Sequence, residues 1–131
     1  MKIFKKTLKW TGITLLVMIL CGVGYAFLGL DQTVKLQIQP VALTQVIDGT
    51  YPGAYNLYRW TTNVEVTVKD HQITAIDPKQ VPTVIRQNVN VLVDRVIQEQ
   101  TPVVDAIAGA TASSHAFLKA VETALENGIT K

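Results

Sequence analysis

The sequence predicts an α+β fold, a small antiparallel sheet covered by helices, preceded by one N-terminal transmembrane helix. Three observations lead to it: an uncharged apolar stretch near the N-terminus, two alternating segments joined by a short turn, and two later segments with apolar residues at helical spacing. A chain of 131 residues has room for one modest domain beside such a helix.

The apolar stretch, Trp10–Leu30, contains no charged residue. A bilayer hydrocarbon core of about 30 Å needs about 20 helical residues, so this stretch is long enough to span it. The basic segment 1–9 precedes the stretch and Asp31 follows it. Positive residues favour the cytoplasmic side, so we expect a single-pass protein of the cell membrane, held by membrane lipid, with an extracytoplasmic C-terminal domain.

A cleaved signal peptide is the alternative interpretation of the same stretch. Gly24-Tyr25-Ala26 has the small-x-small pattern of a weak cleavage site. The apolar run continues past it to Leu30, which favours an uncleaved anchor. Cys21 follows Leu20 rather than the small residue of a lipoprotein site, so we expect a membrane-buried thiol. As the single cysteine, it excludes an internal disulfide and a zinc cluster.

The charge of the remaining chain excludes another class of function. Four of the 12 Lys and Arg residues lie in the basic N-terminal segment, which leaves eight against 10 Asp and Glu. The folded part is therefore slightly acidic and lacks the basic stripe that binding to nucleic acid requires.

After the anchor, the sequence predicts a linker or first strand over 31–47 and a domain over 48–131. Alternation in Val34–Ile38 indicates a short strand that Pro40 ends. Asn63–Val68 alternates strictly, and Ile73–Asp77 returns after a turn over Lys69–Gln72, which indicates a β-hairpin.

Two helices are predicted after the hairpin. Thr83 is a natural N-cap for the first, whose apolar residues Val84, Ile85, Val89, Leu92, Val93, Val96 and Ile97 recur at helical spacing. The second is expected to start at a cap formed by Ser113 or Ser114 and to end at Asn127-Gly128. Its apolar face would bury Phe117, Ala120, Val121, Ala124 and Leu125, with Lys119, Glu122 and Glu126 facing water.

A loop of very small residues, Asp105–Thr111, precedes the last helix. The first N–H groups of a helix lack internal partners and carry partial positive charge, so a phosphate is stabilised there. Gly109 allows close approach of the backbone to a ligand, Ala108 and Ala110 keep that approach open, and Thr111, Ser113 and Ser114 add hydroxyl groups. Tight loop packing is an alternative explanation of the small residues. A threonine nucleophile activated by His115, four residues later, is less well supported.

The pattern Asp105-x-x-x-Gly109-Ala110-Thr111 resembles the flavinylation motif Asp-x-x-Ser/Thr-Gly-Ala-Thr of the FMN-binding domain family. This family includes a flavin-carrying component of the sodium-translocating NADH:quinone reductase and its counterpart in the related Rnf electron-transport complex. The likeness extends to Asp48–Gly53, similar to an Asp-Gly-x-Tyr-x-Gly entry strand, to the hairpin Val64–Asp77, and to the closing helix Val121–Gly128. His71 stands where the family usually has a turn glycine, and Ala108 where it has Ser or Thr. The hydroxyl missing at Ala108 leaves non-covalent binding of FMN as the alternative to covalent attachment.

The resemblance implies that Thr111 carries FMN through a phosphoester bond made by a separate flavin transferase outside the cytoplasm. It implies a cofactor site that contains Thr111, Gly109, Ala110, Ser113, Ser114, Asp105, Tyr51 and Gly53. Asp105 would serve the transferase or cap the loop, because its charge repels a phosphate at close range. An aromatic wall for the flavin ring would come from Tyr51, Tyr55, Tyr58 or Trp60; packing within the sheet is the alternative role for each of them.

The expected function is that of a membrane-anchored flavoprotein that relays electrons to or from a membrane partner protein or complex. A non-redox adaptor or assembly domain of the same fold, without flavin, is one alternative. A self-contained flavin-dependent reductase is another, although the chain has no Gly-x-Gly-x-x-Gly fingerprint for a nicotinamide cofactor. We therefore expect an electron-transfer module rather than an enzyme with a substrate of its own.

Overall fold

The computed structural model describes residues 1–129, so the last two residues of the predicted domain lie outside the described part. Helix α1, Lys2–Phe27, is long and apolar enough to cross a membrane, and its side chains are exposed along almost its whole length. The αL residue Gly29 separates α1 from the short helix α2, Leu30–Val34. The α1 helix therefore leads directly into the folded domain.

The domain is built on a three-stranded antiparallel sheet in the order β1-β2-β3, which confirms the predicted α+β class. Strand β1 is Gly49–Tyr55, β2 is Thr62–Lys69 and β3 is Gln72–Gln80. β1 and β3 are the sheet edges, so Pro52 and Pro78 remove no central ladder hydrogen bond. The predicted hairpin is confirmed, and its second strand is longer than expected.

His71 supports the hairpin turn in place of the usual glycine. Asp70 and His71 adopt φ of 52° and 59°, the left-handed values that a two-residue turn of this kind requires. The His71 Nδ1 lies 3.1 Å from the carbonyl oxygen of Leu43 and 3.3 Å from that of Val46. A donated hydrogen bond to these carbonyls offsets the conformational cost of a non-glycine residue at this position.

Two long helices cover the sheet: α3, Val89–Glu99, and α4, Thr111–Asn127. The valines of β2 and the apolar residues predicted for α4 form one buried core with Ile85, Leu92 and Val96. The predicted start of the first helix at Thr83 is wrong. Residues Thr83–Ile85 form a 3-10 turn that buries Ile85 and leaves Val84 exposed, and α3 begins only at Val89.

The predicted strand over 34–38 is also wrong. After α2, residues 35–42 form neither helix nor strand; Leu36 and Ile38 are partly buried, and their neighbours are exposed. The backbone N–H of Gln39 donates to Glu122 Oε2 at 3.1 Å instead of to a sheet ladder. Alternation here reflects an extended segment packed on a helix, which produces the same two-residue period as a strand.

The same contact corrects the prediction that Glu122 faces water. Glu122 is 2% exposed, and its other oxygen accepts a hydrogen bond from Lys119 Nζ at 3.0 Å. A buried carboxylate requires such partners, and the segment that follows α2 supplies one of them. Phe117, Ala120, Val121, Ala124 and Leu125 are buried as expected.

Candidate functional site

The small-residue loop before α4 contains a tight turn over residues 107–110. The Ala110 N–H donates to the Ile107 carbonyl at 3.0 Å, and Gly109, the third residue of the turn, has φ of 79°. A Cβ built on Gly109 would meet nothing within 4 Å. This glycine is therefore needed for its conformation, and it leaves open space beside the helix start.

Ser114 and Arg95 hold this loop in place. The Ser114 hydroxyl is buried and accepts a hydrogen bond from the Ile107 N–H at 3.0 Å, and Arg95 donates to the Asp105 carbonyl at 2.8 Å. Ser114 thus supports the loop from inside the domain rather than facing a ligand. The Asp105 side chain is exposed and lies near Arg95 and Glu99, in a depression separate from the one that Thr111 lines.

Thr111 is the first residue of α4 and is exposed. The N-cap is Ala110, which provides no side-chain hydrogen bond to the first turn. The predicted caps, Ser113 and Ser114, lie instead inside the helix and are buried, because the N-cap lies three to four residues earlier than expected. The free amides and positive dipole end of this 17-residue helix therefore lie at Thr111.

Thr111 lines a cleft of about 330 Å³. Three parts of the chain form its walls: the motif and first turn of α4, the turn after β1, and the α2 segment, with one residue from the 3-10 turn before α3. The lining residues are Gly109, Ala110, Thr111, Ala112, Ser113, Arg59, Trp60, Leu30, Val34 and Val84. This volume is at the lower end of the range of small-molecule sites.

Arg59 and Trp60 give the cleft a cation and an aromatic wall. The Arg59 guanidinium carbon lies 4.4 Å from the centroid of the Trp60 ring, a cation–π distance. Trp60 is 4% exposed and packs with Ala112 and Ala116 on α4. Among the described side chains that line the cleft, Arg59 is the one cation, so an anion at Thr111 would share the cleft with one positive group.

The segment after α1 is fastened to this cleft by three hydrogen bonds. The Trp60 Nε1–H donates to the Leu28 carbonyl at 3.3 Å, Thr33 Oγ1 lies 3.0 Å from the Tyr55 hydroxyl, and His115 Nδ1 lies 2.9 Å from the Val34 carbonyl. The His115 ring thus binds α2 to α4, a structural role that differs from activation of Thr111. The wall formed by Leu30 and Val34 depends on these contacts.

Besides Asp105 and Ser114, two further residues expected at the cofactor site lie away from this cleft. The Tyr51 hydroxyl donates to the Ile47 carbonyl at 2.5 Å, and its ring packs against Gly128, at the far end of α4. Gly53 faces the middle of the same helix, where a Cβ would lie 1.9 Å from the Ala120 carbonyl oxygen. Both residues serve the packing of β1 on α4, so the structure does not bring them together with Thr111.

Five residues of the cleft were not predicted from the sequence: Arg59, Leu30, Val34, Val84 and Ala112. Arg59 had a usable signal, since a cation directly before a candidate aromatic residue is suited to an anionic aromatic ligand. Leu30 and Val34 were assigned to the anchor and the linker. Their place at the site follows from the docking of α2, which no local pattern indicates.

Comparison with known protein families agrees with this site. The model of the FMN-binding domain family matches residues 58–126, more than half of the chain, a range that includes Arg59, Trp60 and the whole motif loop through Thr111. A search among curated proteins found no match. The matched range contains β2, β3 and all of α4 except its last residue, and the chain belongs to the FMN-binding domain family.

Proposed function

We propose that this protein is a membrane-anchored, extracytoplasmic electron-transfer flavoprotein that carries FMN as a phosphoester of Thr111. The observation that carries the proposal is the position of Thr111. It is an exposed hydroxyl at the positive end of α4, inside a cleft with a cation and an aromatic wall, in a chain of the FMN-binding domain family.

The cleft residues fit the chemistry of FMN. The first-turn amides of α4 and the Arg59 guanidinium would bind the phosphate, which needs hydrogen-bond donors and positive charge. Trp60 and the aliphatic walls would contact the apolar flavin ring, and Gly109 leaves room beside the attachment point. When bound, the flavin supplies reversible redox chemistry, and the protein holds and orients it.

Attachment would need a transferase and an activated flavin phosphate ester. The Thr111 oxygen would form the new bond to phosphorus while the bond to the leaving group breaks, and the transferase would accept the hydroxyl proton. The α4 amides and Arg59 would stabilise the negative charge that develops on the phosphate oxygens. The exposure of Thr111 and Ala108 allows a second protein to reach this loop. Asp105, exposed at the start of the motif, would contact that protein rather than the phosphate.

The exposed apolar surface of α1 supports the membrane anchor. Side chains such as Ile13, Leu16 and Met18 are 56%, 57% and 66% exposed. Each large apolar side chain gains about 1.5–3 kcal/mol on leaving water, so a helix with such side chains on all sides needs cover. Lipid gives that cover, and the lysines of residues 1–9 favour a domain outside the cytoplasm.

Covalent attachment is tested by co-expression of the full chain with a flavin transferase. We expect Thr111→Val, which keeps the side-chain shape but lacks the hydroxyl, to lose all flavin that survives denaturation, measured by intact mass and in-gel fluorescence. The matched control is Ser113→Ala, which removes a buried hydroxyl from the same cleft and should retain the flavin. Covalent flavin on the valine variant would contradict the assignment. A wild-type chain without any flavin would favour the adaptor domain.

The relay function is tested with the flavin-loaded full chain. We expect reversible reduction by dithionite and reoxidation by air, with negligible oxidation of NADH by the protein alone. Rapid NADH oxidation would favour the self-contained reductase.

The topology is tested by protease added to cells whose outer permeability barrier has been opened. We expect digestion of the domain, and full protection would contradict the extracytoplasmic placement.

A further inference from the structure

The junction between α1 and the domain carries an exposed apolar and aromatic surface. Five of its side chains are large and apolar or aromatic, and one is cationic. We call this the anchor-side surface; its residues are Phe27, Leu28, Val34, Tyr58, Arg59 and Val84. Tyr58 and Val84 are 55% and 58% exposed, although both belong to the folded domain rather than to α1.

The length of the anchor places this surface at the edge of the bilayer. A hydrocarbon core of about 30 Å accommodates about 20 helical residues, at a rise of about 1.5 Å per residue. Counted from Lys9, the last lysine before the apolar stretch, that length ends near Gly29. The groups that touch Gly29 therefore lie within one side-chain length of the lipid headgroups.

Tyr58 and Trp60 make contact with this end of the anchor. A Cβ built on Gly29 would lie 2.8 Å from Tyr58 Cδ2, so the ring rests directly on the chain there. The Trp60 Nε1–H donates to the Leu28 carbonyl, which adds a second contact to the same turn. Tyr58 also adopts φ of 51°, a conformation that bulky residues rarely adopt, while its ring stays largely exposed.

The charge of this surface suits a bilayer with anionic lipid. The nearby acidic side chain Asp31 is paired with Lys35 at 3.0 Å, which leaves the exposed Arg59 as a net positive charge. An exposed tyrosine beside an arginine is a combination suited to membrane interfaces, where the ring lies among headgroups and the cation meets phosphate.

We propose that the anchor-side surface lies on the headgroup layer of the bilayer that α1 spans, so that the domain is docked on the membrane rather than tethered freely above it. The inference rests on the membrane anchor of the proposed function. Its consequence is that the Thr111 cleft, which shares Val34, Arg59 and Val84 with this surface, lies beside the lipid. Electron partners would then meet the flavin at the membrane surface.

The test uses the full chain with Cys21→Ser, which frees cysteine labelling for a chosen position. An environment-sensitive fluorophore is attached at Tyr58→Cys or, as matched control, at Glu126→Cys, an exposed position about 22 Å from Thr111 along α4. The chain is reconstituted in phosphatidylcholine–phosphatidylglycerol vesicles that contain a headgroup spin-labelled lipid. We expect several-fold stronger quenching of the label at 58 than of the label at 126, when only protein molecules whose domain faces the outside of the vesicle are compared.

A second variant separates docking from mere proximity to the anchor. With the label at Val84→Cys, the double change Tyr58→Ser and Arg59→Gln should reduce its quenching towards that of the label at 126, while circular dichroism stays unchanged. Equal quenching at 58 and 126, or no effect of the double change on the label at 84, overturns the docking although the anchor stands. Extraction of the protein from vesicles by carbonate overturns the anchor itself, and this inference with it.

Discussion

The two ends of α4 use small residues for opposite physical reasons. Along its middle and C-terminal part, the sheet approaches so closely that a Cβ on Gly53 would lie 1.9 Å from the Ala120 carbonyl oxygen, and one on Gly128 would lie 2.6 Å from the Tyr51 ring. At its N-terminal end, a Cβ on Gly109 would meet none of the described atoms within 4 Å, and Thr111 is exposed. In the first region the residues are small because neighbouring atoms fill the space. In the second region they are small because the space beside them is kept open.

This difference separates the part of the helix that holds the fold from the part that serves the ligand. Close packing makes a site intolerant of any added atom, whereas an open turn tolerates added atoms and restricts only the backbone conformation. Equivalent substitutions in the two regions of α4 therefore test this difference, with the free energy of unfolding and the extent of flavin attachment measured for each variant.

Gly53→Ala should give the largest loss of stability. The new methyl group would overlap backbone atoms of Ala120 and Ala124, which cannot move without separating α4 from the sheet, so we expect a loss of about 3 kcal/mol in the free energy of unfolding. Thermal unfolding of the full chain in micelles, followed by circular dichroism, measures it. The control is Ala54→Ser, an exposed neighbour on the same strand, and equal stability of the two variants would contradict the close packing.

Glu122→Ala should give the next largest effect, about 2 kcal/mol, because it leaves the Gln39 N–H and Lys119 without their buried partner. Lys119 is 31% exposed in its side chain and can turn to solvent, which limits the loss. Glu122→Gln keeps an acceptor for Gln39 and should cost about half as much. Urea unfolding measures both free energies of unfolding. If the alanine variant is no less stable than the glutamine variant, the contact with Gln39 contributes nothing to stability.

Gly109→Ala should cost about 1 kcal/mol, since the cost lies in the left-handed backbone conformation and not in space. We also expect a smaller flavinylated fraction, because the turn would shift relative to Thr111. Gly109→Asn, which tolerates positive φ better, should recover much of both properties. Loss of stability at 109 as large as that at 53 would remove the contrast between the two ends.

Ala108→Ser should have the smallest effect on stability, within about 0.5 kcal/mol, because Ala108 is exposed. It restores the hydroxyl that the flavinylation motif usually carries before the glycine. We therefore expect faster flavin attachment in co-expression, followed by in-gel fluorescence over time. An unchanged or slower rate would show that the transferase does not use this hydroxyl.

The sequence by itself determined the elements whose signals are local. The apolar stretch, the strict alternation of the hairpin and the apolar face of α4 each depend on residues that are neighbours in the chain, and the structure has all three elements. The motif loop was likewise predictable as a small-residue turn at a helix start. The family match at residues 58–126 agrees with the motif resemblance.

The tertiary structure alone decided which residues surround Thr111 and which do not. Residues 34–38 alternate like a strand, yet Val34 ends α2 and Ile38 packs against the core outside the sheet, and Ser113 and Ser114 resemble caps, yet they are buried inside the helix. These outcomes depend on the docking of α2 against Trp60, Tyr55 and His115. Such contacts join positions more than 20 residues apart, and a local period of two or a local hydroxyl is the same whether the partner is a sheet, a helix or water.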